Sequence, residues 1–391
     1  MYRKITADVL FDGLNYLPTA SVLVMDGSGS IIDLIARDEA GEDVQELSGL
    51  LMPGHINAHC HLELSHLKGV IPSGTGMVDF LSGVMEQRES TEERMLDAIA
   101  AAEQSMQDAG IVAVGDICNT DITEAQKRRQ NLIYHNFVEV SGVAPEMAET
   151  RLNRARMVLD KLQAGGEGIA GIVPHAPYSV SEKLLMMLGA EKKTDVFTIH
   201  CQESEAEMEF FSKREGPFVS FFNRWNIMTE HFPNTIKNSL VYVLPHLPSD
   251  RNLILVHNVF SHQQDIELAQ QHFIQHPDKL FHALCPSANQ YISGRLPDVR
   301  MMHAMGCRFV LGTDSLASNT ALSIWQEIKL LAETYVDIPV KTWLRAATHE
   351  GARALKLDHQ LGLFRKGMSP GMFHAELETE LLERIKAEIS Q

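Results

Sequence analysis

Residues 50–69, LLMPGHINAHCHLELSHLKG, combine an apolar run, a Pro-Gly break and the pair His59 and His61. Side chains of a strand alternate between its two faces, so His59 and His61 should share one face while Cys60 points away. His55 falls on the same face, deeper along the strand, where we expect a packed, hydrogen-bonded imidazole. Two neutral imidazoles at the end of a buried strand suit a divalent metal ion. Surface strands also carry His-x-His pairs by chance, so this stretch alone leaves the question open.

The composition is that of a large globular protein. With 391 residues, of which 45% are hydrophobic and 22% charged, the chain can bury a sizeable core. The net charge of −17 disfavours nucleic acid and an anionic membrane surface as partners. No apolar run approaches the ~20 residues of a membrane span, and the N-terminal sequence lacks the apolar core of a signal peptide. The five cysteines, an odd number, indicate reduced thiols, so we expect a cytoplasmic protein.

After Leu51, short apolar segments alternate with amphipathic helical patterns. Eight of these segments are candidate strands: residues 55–60, 111–116, 132–139, 168–174, 195–200, 252–257, 280–285 and 307–313. Such a series favours an α/β fold whose parallel strands close into a (β/α)8 TIM-type barrel over an open doubly wound sheet. A dinucleotide-binding sheet would need a Gly-x-Gly-x-x-Gly turn after an early strand, and the sequence lacks one.

The two ends of the chain are expected to form a second, smaller β unit. The N-terminal part contains short strand patterns separated by turns, namely KITADVLF, ASVLVMD and IIDLIA. Near the other end, GMFHAEL predicts a strand that rejoins this layer, and ETELLERIKAEIS predicts a terminal helix. We therefore divide the chain into a small β-sandwich layer, residues 1–52 plus 361–391, and a barrel, residues 53–360.

Polar side chains gather at the predicted carboxyl ends of the strands, where barrels place their active sites. In strand order they are His59 and His61, then His175, then His200 with Glu203, then His257, and finally Asp314. Each has a structural explanation when taken alone, such as a hydrogen-bonded histidine or a helix cap. Their joint occurrence at one end of the strand set indicates a catalytic centre.

Several motifs together resemble the amidohydrolase superfamily, in its cytosine-deaminase-like (ATZ/TRZ-like) branch. In chain order, between about residue 51 and residue 364, they are PGHINAHCH, HCQESE, LVHN, CPSAN with GRLPDV, LGTDSLASN and ATHEGARALKL. The resemblance implies that His59, His61, His200 and Asp314 are metal ligands. It also implies that Glu203 and His257 are proton-transfer and polarising groups, with Asp314 taking a proton from water.

The same resemblance bears on the metal count. Two-metal members of the superfamily carry a carboxylated lysine or a carboxylate on the fourth strand. The fourth strand here, GIAGIVPH, has neither, so one divalent ion is expected. Three histidines and one carboxylate suit zinc, which we expect, while Fe(II) and Mn(II) accept the same ligands and remain alternatives.

Loop motifs narrow the substrate class. HCHLELS and GTDSLASNTALSIWQEI look like aminodeoxyfutalosine deaminases, and PHAPYSVS resembles adenosine-type deaminases whose histidine, here His175, contacts the substrate. Glu63 and Ser318 complete the expected substrate contacts. The resemblance thus implies hydrolytic deamination of a 6-aminopurine nucleoside such as aminodeoxyfutalosine. A guanine- or cytosine-type base deaminase, a triazine or chloro-ring hydrolase and a non-catalytic barrel are the alternatives. Barrels of this branch are often homodimers.

Several acids follow the fifth strand in the segment ESEAEMEFF. We take the first, Glu203, as the catalytic group that passes a proton to a ring nitrogen. Glu205, Glu207 and Glu209 are expected to be solvated acids in the first turns of a helix, where carboxylates favour the helix dipole.

Overall fold

The computed structural model describes residues 2–164, 169–233 and 236–390, which form an α/β protein. The strands are β1 (Arg3–Leu10), β2 (Ser21–Met25), β3 (Ile31–Ala36), β4 (Gln45–Met52), β5 (His55–Cys60), β6 (Ile111–Cys118), β7 (Ile133–Val140), β8 (Ile169–Pro174), β9 (Val196–Cys201), β10 (Asn252–His257), β11 (Leu280–Leu284), β12 (Phe309–Leu311) and β13 (Phe373–Ala375).

The α-helices are α1 (Met77–Gln87), α2 (Glu92–Asp108), α3 (Glu124–Lys127), α4 (Ala148–Ala164), α5 (Glu182–Gly189), α6 (Glu205–Lys213), α7 (Pro217–Arg224), α8 (Ser239–Val243), α9 (Gln263–His272), α10 (Pro286–Ser293), α11 (Val299–Ala304), α12 (Ile324–Thr334), α13 (Val340–Arg345), α14 (Gly351–Ala354) and α15 (Thr379–Ile389). Short 3-10 helices cover Leu62–Leu67, Pro145–Met147, Pro177–Ser179, Leu244–His246 and Pro277–Lys279, and a π-helical turn covers Ala346–Glu350. In the described ranges, no helix has the length and apolar character needed to cross a membrane.

Eight parallel strands form the centre of the molecule, in two sheets with the orders β5-β6-β7-β8 and β12-β11-β10-β9. Backbone hydrogen bonds join the two sheets at both edges. Between β8 and β9, the His200 amide donates to the His175 carbonyl at 2.9 Å. Between β5 and the residues after β12, the Thr313 and Asp314 amides both donate to the His59 carbonyl, at 3.1 Å.

An apolar cluster contains residues from each of the eight strands, which shows that they share one buried interior. From β5 to β12 these are Ile56 and Ala58, Ala113 and Ile117, Phe137, Val173, Val196, Ile254 and Val256, Phe281 and Ala283, and Val310. The strand positions predicted from the apolar segments are confirmed, each end lying within two residues of its predicted place. Residue 168, the predicted start of the fourth strand, lies outside the described residues.

A β-bulge in β5 sets the direction of the first histidine pair. Asn57 pairs with Val114 on β6, but Cys60 pairs with Asp116, so three steps along β5 oppose two along β6. The extra residue shifts the alternation and re-aims the side chains that follow it. The predicted shared face of His55 and His59 is therefore wrong.

His55 lies away from the other histidines of this segment. Its ring is 4.1 Å from the Phe373 ring and 6.4 Å from the Trp325 ring, between centroids, and its Nδ1 lies 3.3 Å from the Ala109 carbonyl oxygen. The prediction that His55 is a packed, hydrogen-bonded imidazole is confirmed. Burial lowers the pKa of His55 to about 4, so the ring is neutral in this apolar setting.

The two ends of the chain contribute a five-stranded sheet of order β13-β4-β1-β2-β3. As predicted, the C-terminal segment rejoins the N-terminal strands, because Phe373–Ala375 pairs antiparallel with the end of β4. β4 also pairs in parallel with β1, the central strand of this sheet, and so links the C-terminal strand to the N-terminal ones. The strand patterns quoted from the sequence did not include β4, because its first half is polar and largely exposed while its second half is buried.

Glu207 holds the loop after β9 from inside the protein. Its carboxylate accepts the backbone N–H of Gln202 at 3.1 Å and that of Glu203 at 3.3 Å. The side chain is buried, so the prediction of a solvated Glu207 is wrong, whereas Glu205 is exposed as predicted. α6 begins at Glu205 and turns its third residue back towards the end of β9. Burial raises the pKa of Glu207 to about 7, although hydrogen bonds oppose the rise.

The raised pKa of Glu207 predicts a pH-dependent contribution to stability. Between the ordinary glutamate value of 4.5 and about 7, the folded chain holds a proton at Glu207 that the unfolded chain has released. The free energy of unfolding should therefore fall as pH rises through this window, by at most about 1.4 kcal/mol per pH unit from this group. In urea titrations across this range, Glu207→Gln should flatten the dependence.

The matched control is Glu205→Gln, which removes an exposed carboxylate from the same helix. It should keep the wild-type slope. A Glu207→Gln protein whose stability runs parallel to that of the wild type across the window would contradict the role of this carboxyl.

A second prediction concerns Gly312, which packs against the edge between β5 and β12. A β-carbon at this position would lie 2.8 Å from His59 Cβ and 2.9 Å from Cys285 Sγ. Gly312→Ala should lower the free energy of unfolding by about 1–3 kcal/mol, the usual cost of overpacking. Gly83→Ala is the control, since the three atoms nearest to its β-carbon in α1 would all belong to the Ile71 side chain, at 3.3 Å or more, and alanine favours a helix. Equal effects in urea unfolding would argue against a tight edge at Gly312.

Candidate active site

Buried imidazoles and one carboxylate converge at the carboxyl ends of the central strands. They are His59, His61, His200, His257 and Asp314. Asp314 Oδ1 lies 3.5 Å from His59 Nε2 and 3.4 Å from His61 Nε2. Donor atoms of these three residues lie within 4.8 Å of one another, and so do ring nitrogens of His59, His200 and His257. The structure thus brings the four predicted metal ligands together.

The donor atoms fit a divalent metal ion. Both ring nitrogens of His59 are buried and have no hydrogen-bond partner among the described residues. Buried polar atoms without partners are costly, and a metal ion would satisfy one of these nitrogens. Burial also lowers the pKa of His61 and, more strongly, that of His200, which favours the neutral imidazole that binds metals. The residues therefore form a candidate His/Asp metal site.

Asp314 is held in an unusual backbone conformation by its neighbours. Its φ is 56°, in the left-handed region that non-glycine residues seldom adopt, and the Ser318 hydroxyl donates to its Oδ2. Ser318 is fully buried, so the geometry favours a positioning role for it over the predicted substrate contact. Burial by itself would raise the pKa of Asp314, but contact with His59 and electrostatic attraction to the rings of His61 and His257 bring it below its usual range.

Glu203 and His257 form a second pair beside these residues. Glu203 Oε1 lies 3.3 Å from His257 Nε2, and both side chains are buried. Burial, with the nearby charges of Asp314 and Glu207, raises the pKa of Glu203 well above its ordinary value. Burial lowers the pKa of His257 to about 3, against the attraction of Asp314. The arrangement thus favours a protonated carboxyl next to a neutral imidazole.

Asn289 orients His257, a role that the sequence did not reveal. Its Nδ2 lies 3.0 Å from His257 Nδ1, which leaves Nε2 facing Glu203. The segment CPSAN that contains Asn289 was recognised as a motif, but its position gave no indication of this contact. His257 itself has a φ of 75°, so the orienting contact acts on a residue with a constrained backbone.

The other two predicted substrate contacts lie on the side of β8 and β6. The His175 ring is 4.9 Å from the His200 ring, between centroids, and its Nδ1 lies 2.7 Å from Ser179 Oγ. The Glu63 carboxylate instead accepts the backbone N–H groups of Asn119 and Thr120, each at 3.1 Å. This geometry favours a structural role for Glu63, which links the segment after β5 to the loop after β6. Burial raises its pKa to about 7, although Arg88 opposes the rise.

Glu139 is a site residue that no sequence motif indicated. It is the penultimate residue of β7, and a carboxylate oxygen of Glu139 lies within 4.8 Å of a ring nitrogen of both His175 and His200. Glu139 is the last residue of the predicted third strand, but it belongs to none of the motifs quoted from the sequence. Its position at a strand end was the one feature of the sequence that could have marked it as a site residue.

Known proteins share this architecture. Adenosine deaminase of Helicobacter pylori is 26% identical over 318 residues, which cover 80% of this chain and 76% of that protein. Aminodeoxyfutalosine deaminase of Deinococcus radiodurans is 25% identical over 378 residues, covering 90% and 85%. The crystal structure of Helicobacter pylori aminofutalosine deaminase in complex with methylthio-coformycin has a TM-score of 0.81 at 21% identity, covering 98% of this chain and 96% of that one, and supports the fold.

Residues 50–372 match the amidohydrolase family. The matched range contains the convergent histidines, Asp314 and Glu203. The chain belongs to the amidohydrolase family.

Proposed function

We propose that this protein is a metal-dependent hydrolytic deaminase that replaces the exocyclic amino group of a 6-aminopurine nucleoside, such as aminodeoxyfutalosine, with oxygen. The observation that carries the proposal is the convergence of His59, His61 and Asp314 beside the Glu203–His257 pair. Membership of the amidohydrolase family supports the reaction class. The names of the relatives, deaminases of adenosine and aminodeoxyfutalosine, support the substrate class.

One divalent ion would be held by His59, His61, His200 and Asp314. Three imidazoles and a carboxylate favour zinc, and Fe(II) or Mn(II) would accept the same donors. When bound, such an ion supplies Lewis-acid activation of water. β8 contributes no lysine or acid to the site, which supports a single ion.

The protein's own side chains would move the protons. Asp314 is ionised because its pKa is low, so its carboxylate can accept a proton from water. Burial raises the pKa of Glu203, which favours its protonated form, so its carboxyl can donate that proton to a ring nitrogen of the substrate. His257 is neutral, and its Nε2 can hydrogen-bond the oxygen added to the ring carbon. The proton on Asp314 can then pass to the amino group, which leaves as ammonia when the C–N bond breaks. The added hydroxyl returns a proton to Glu203, and a carbonyl remains on the ring.

The proposal extends to the architecture and location. Hydrogen bonds at both edges of the two central sheets, and the apolar cluster that all eight strands share, support a closed (β/α)8 barrel of residues 53–360. The five-stranded sheet supports a β-sandwich-type layer of residues 1–52 plus 361–391. The five cysteines are unpaired, which supports a reducing, cytoplasmic setting. A homodimer stays a prediction.

Removing a proposed ligand should remove the metal. We expect His59→Ala and Asp314→Asn to bind well below one equivalent of metal per chain, measured by elemental analysis after gel filtration. His59→Ala deletes a buried metal-binding nitrogen. Asp314→Asn removes the negative charge that balances part of the positive charge of the ion. His359→Ala, at an exposed histidine, is the control and should retain the wild-type content. Undiminished metal in both site variants would remove the proposed site.

Glu203→Gln should separate metal binding from turnover. This variant keeps the side-chain shape but loses the acidic proton, so we expect full metal content and a kcat lower by about 10²–10⁴-fold. Glu205→Gln is the control, since Glu205 is exposed on the following helix, and should keep full activity.

The substrate class is tested by ammonia release from purine nucleosides, free bases and aminotriazines. Release from 6-aminopurine nucleosides is expected. Release confined to free bases or triazines would favour the alternative ring hydrolases, and release from none of the compounds would contradict deamination.

A further inference from the structure

We infer that Glu139 anchors a hydroxyl-binding subsite beside the metal site, and that this subsite selects substrates with a neutral diol, such as ribose, next to the reacting ring. The inference rests on the proposed deaminase function and adds which part of the substrate, besides the reacting ring, the protein recognises. It is carried by where Glu139 lies, how its carboxylate is held, and which charges surround it.

Glu139 borders the reaction centre. A carboxylate oxygen of Glu139 and ring nitrogens of His175 and His200 lie within 4.8 Å of one another. His200 is a proposed metal ligand, so a ring at the metal site whose substituent points towards His175 would bring that substituent close to Glu139. The side chain is half-buried at the end of β7, which leaves part of the carboxylate accessible from the open end of the strand set.

A hydrogen-bond relay fixes the Glu139 carboxylate. Asn119 Nδ2 donates to Glu139 Oε2 at 3.0 Å. Asn119 is itself held, because its backbone N–H donates to Glu63 Oε2 at 3.1 Å and Arg88 donates to Glu63 Oε1 at 3.4 Å. Residues at the ends of three successive strands therefore set the position of this carboxylate before any substrate binds.

The carboxylate retains free acceptor capacity. A carboxylate offers about four acceptor positions, and in the described part of the chain Asn119 is the one side chain that donates to Glu139. Two neighbouring hydroxyl groups can each donate a hydrogen bond to such a carboxylate. Groups without an N–H or O–H, such as ethers and tertiary amides, cannot do so. His175, whose Nδ1 is taken by Ser179, has its other ring nitrogen available for the same ligand.

The charges favour a neutral group over an anion. Glu139 and Asp314 place carboxylates around the site, and the basic group in the relay, Arg88, is already paired with Glu63. A phosphate or carboxylate at this position would face acceptors and like charge, while hydroxyl donors are complementary to them. The subsite therefore fits a ribose-type diol.

Glu139→Gln tests this subsite with adenosine and 2′,3′-dideoxyadenosine as probes. The wild type should bind adenosine more tightly, because the dideoxy compound leaves the carboxylate without its donors. In Glu139→Gln, KM for adenosine should rise by about 10- to 100-fold, as for loss of a hydrogen bond to a charged group, with metal content and kcat little changed. KM for the dideoxy compound should not rise, because the neutral amide costs less to desolvate than the carboxylate, so the preference for hydroxyls disappears. Glu146→Gln, at an exposed acid after the same strand, is the control.

Calorimetric titration of both nucleosides separates this inference from the proposed function, since binding does not require turnover. Equal affinity of the wild type for the two compounds, or an unchanged hydroxyl preference in Glu139→Gln, overturns the subsite even when the wild type releases ammonia. Two metal equivalents in the wild type and one in Glu139→Gln would also overturn it and assign the cluster to a second cation. Ammonia release from no nucleoside, with a hydroxyl preference lost in Glu139→Gln, would overturn deamination and retain the subsite.

Discussion

The backbone bonds between His59 and the residues after β12 are the constraint on which the site depends. The Thr313 and Asp314 amides share the His59 carbonyl, and Asn57 binds Thr313 twice, through its Oδ1 to the Thr313 amide and its Nδ2 to the Thr313 hydroxyl. These bonds join the first and last of the eight strands, so a histidine and a carboxylate far apart in sequence are placed together by main-chain geometry. Because Asp314 has a left-handed φ, its side chain turns towards the same space as the His59 ring. The strain at Asp314 is acceptable only because the surrounding bonds over-determine it.

The surroundings of two carboxyl groups at this centre shift their pKa values in opposite directions. Three imidazoles lower the pKa of Asp314, whereas Glu203 is buried and feels the negative charges of Asp314 and Glu207, which raise its pKa. A base and an acid that both function near neutral pH need such separated environments. Glu207 contributes to this difference in two ways. Its carboxylate accepts the Glu203 backbone N–H, and its negative charge raises the pKa of the Glu203 carboxyl. The loop after β9 thus positions the acid and helps to keep it protonated.

Strand positions and the polar residues at the strand ends were predictable from local order, whereas the choice of four metal ligands among those residues came from the family resemblance. Apolar segments mark buried strands, and the polar residue that ends such a strand must lie at the common edge. The bulge in β5 was not predictable, because one extra residue changes nothing in composition and appears only in the pairing with β6. Glu207 and Asn289 were misjudged or missed for a related reason. Their roles depend on contacts with Glu203 and His257, which the fold supplies and the local pattern does not.

The relay from Arg88 to Glu139 shows how selectivity can be built without a mobile element. Glu63, Asn119 and Glu139 lie at the ends of three successive strands, and Arg88 joins them from the end of α1. The Glu139 carboxylate therefore needs no rearrangement to meet a ligand, and preorganised acceptors lose little entropy on binding. An unanchored acid would discriminate poorly, because it could turn away from a substrate lacking hydroxyl groups. A fixed carboxylate must remain desolvated and unpaired beside such a substrate. That cost is what separates the affinities for substrates with and without hydroxyl groups. The net charge of −17 acts in the same direction at longer range by disfavouring anionic compounds before they reach the site. Local geometry and overall charge thus favour the same class of ligand, a neutral ring compound with a donor-rich substituent.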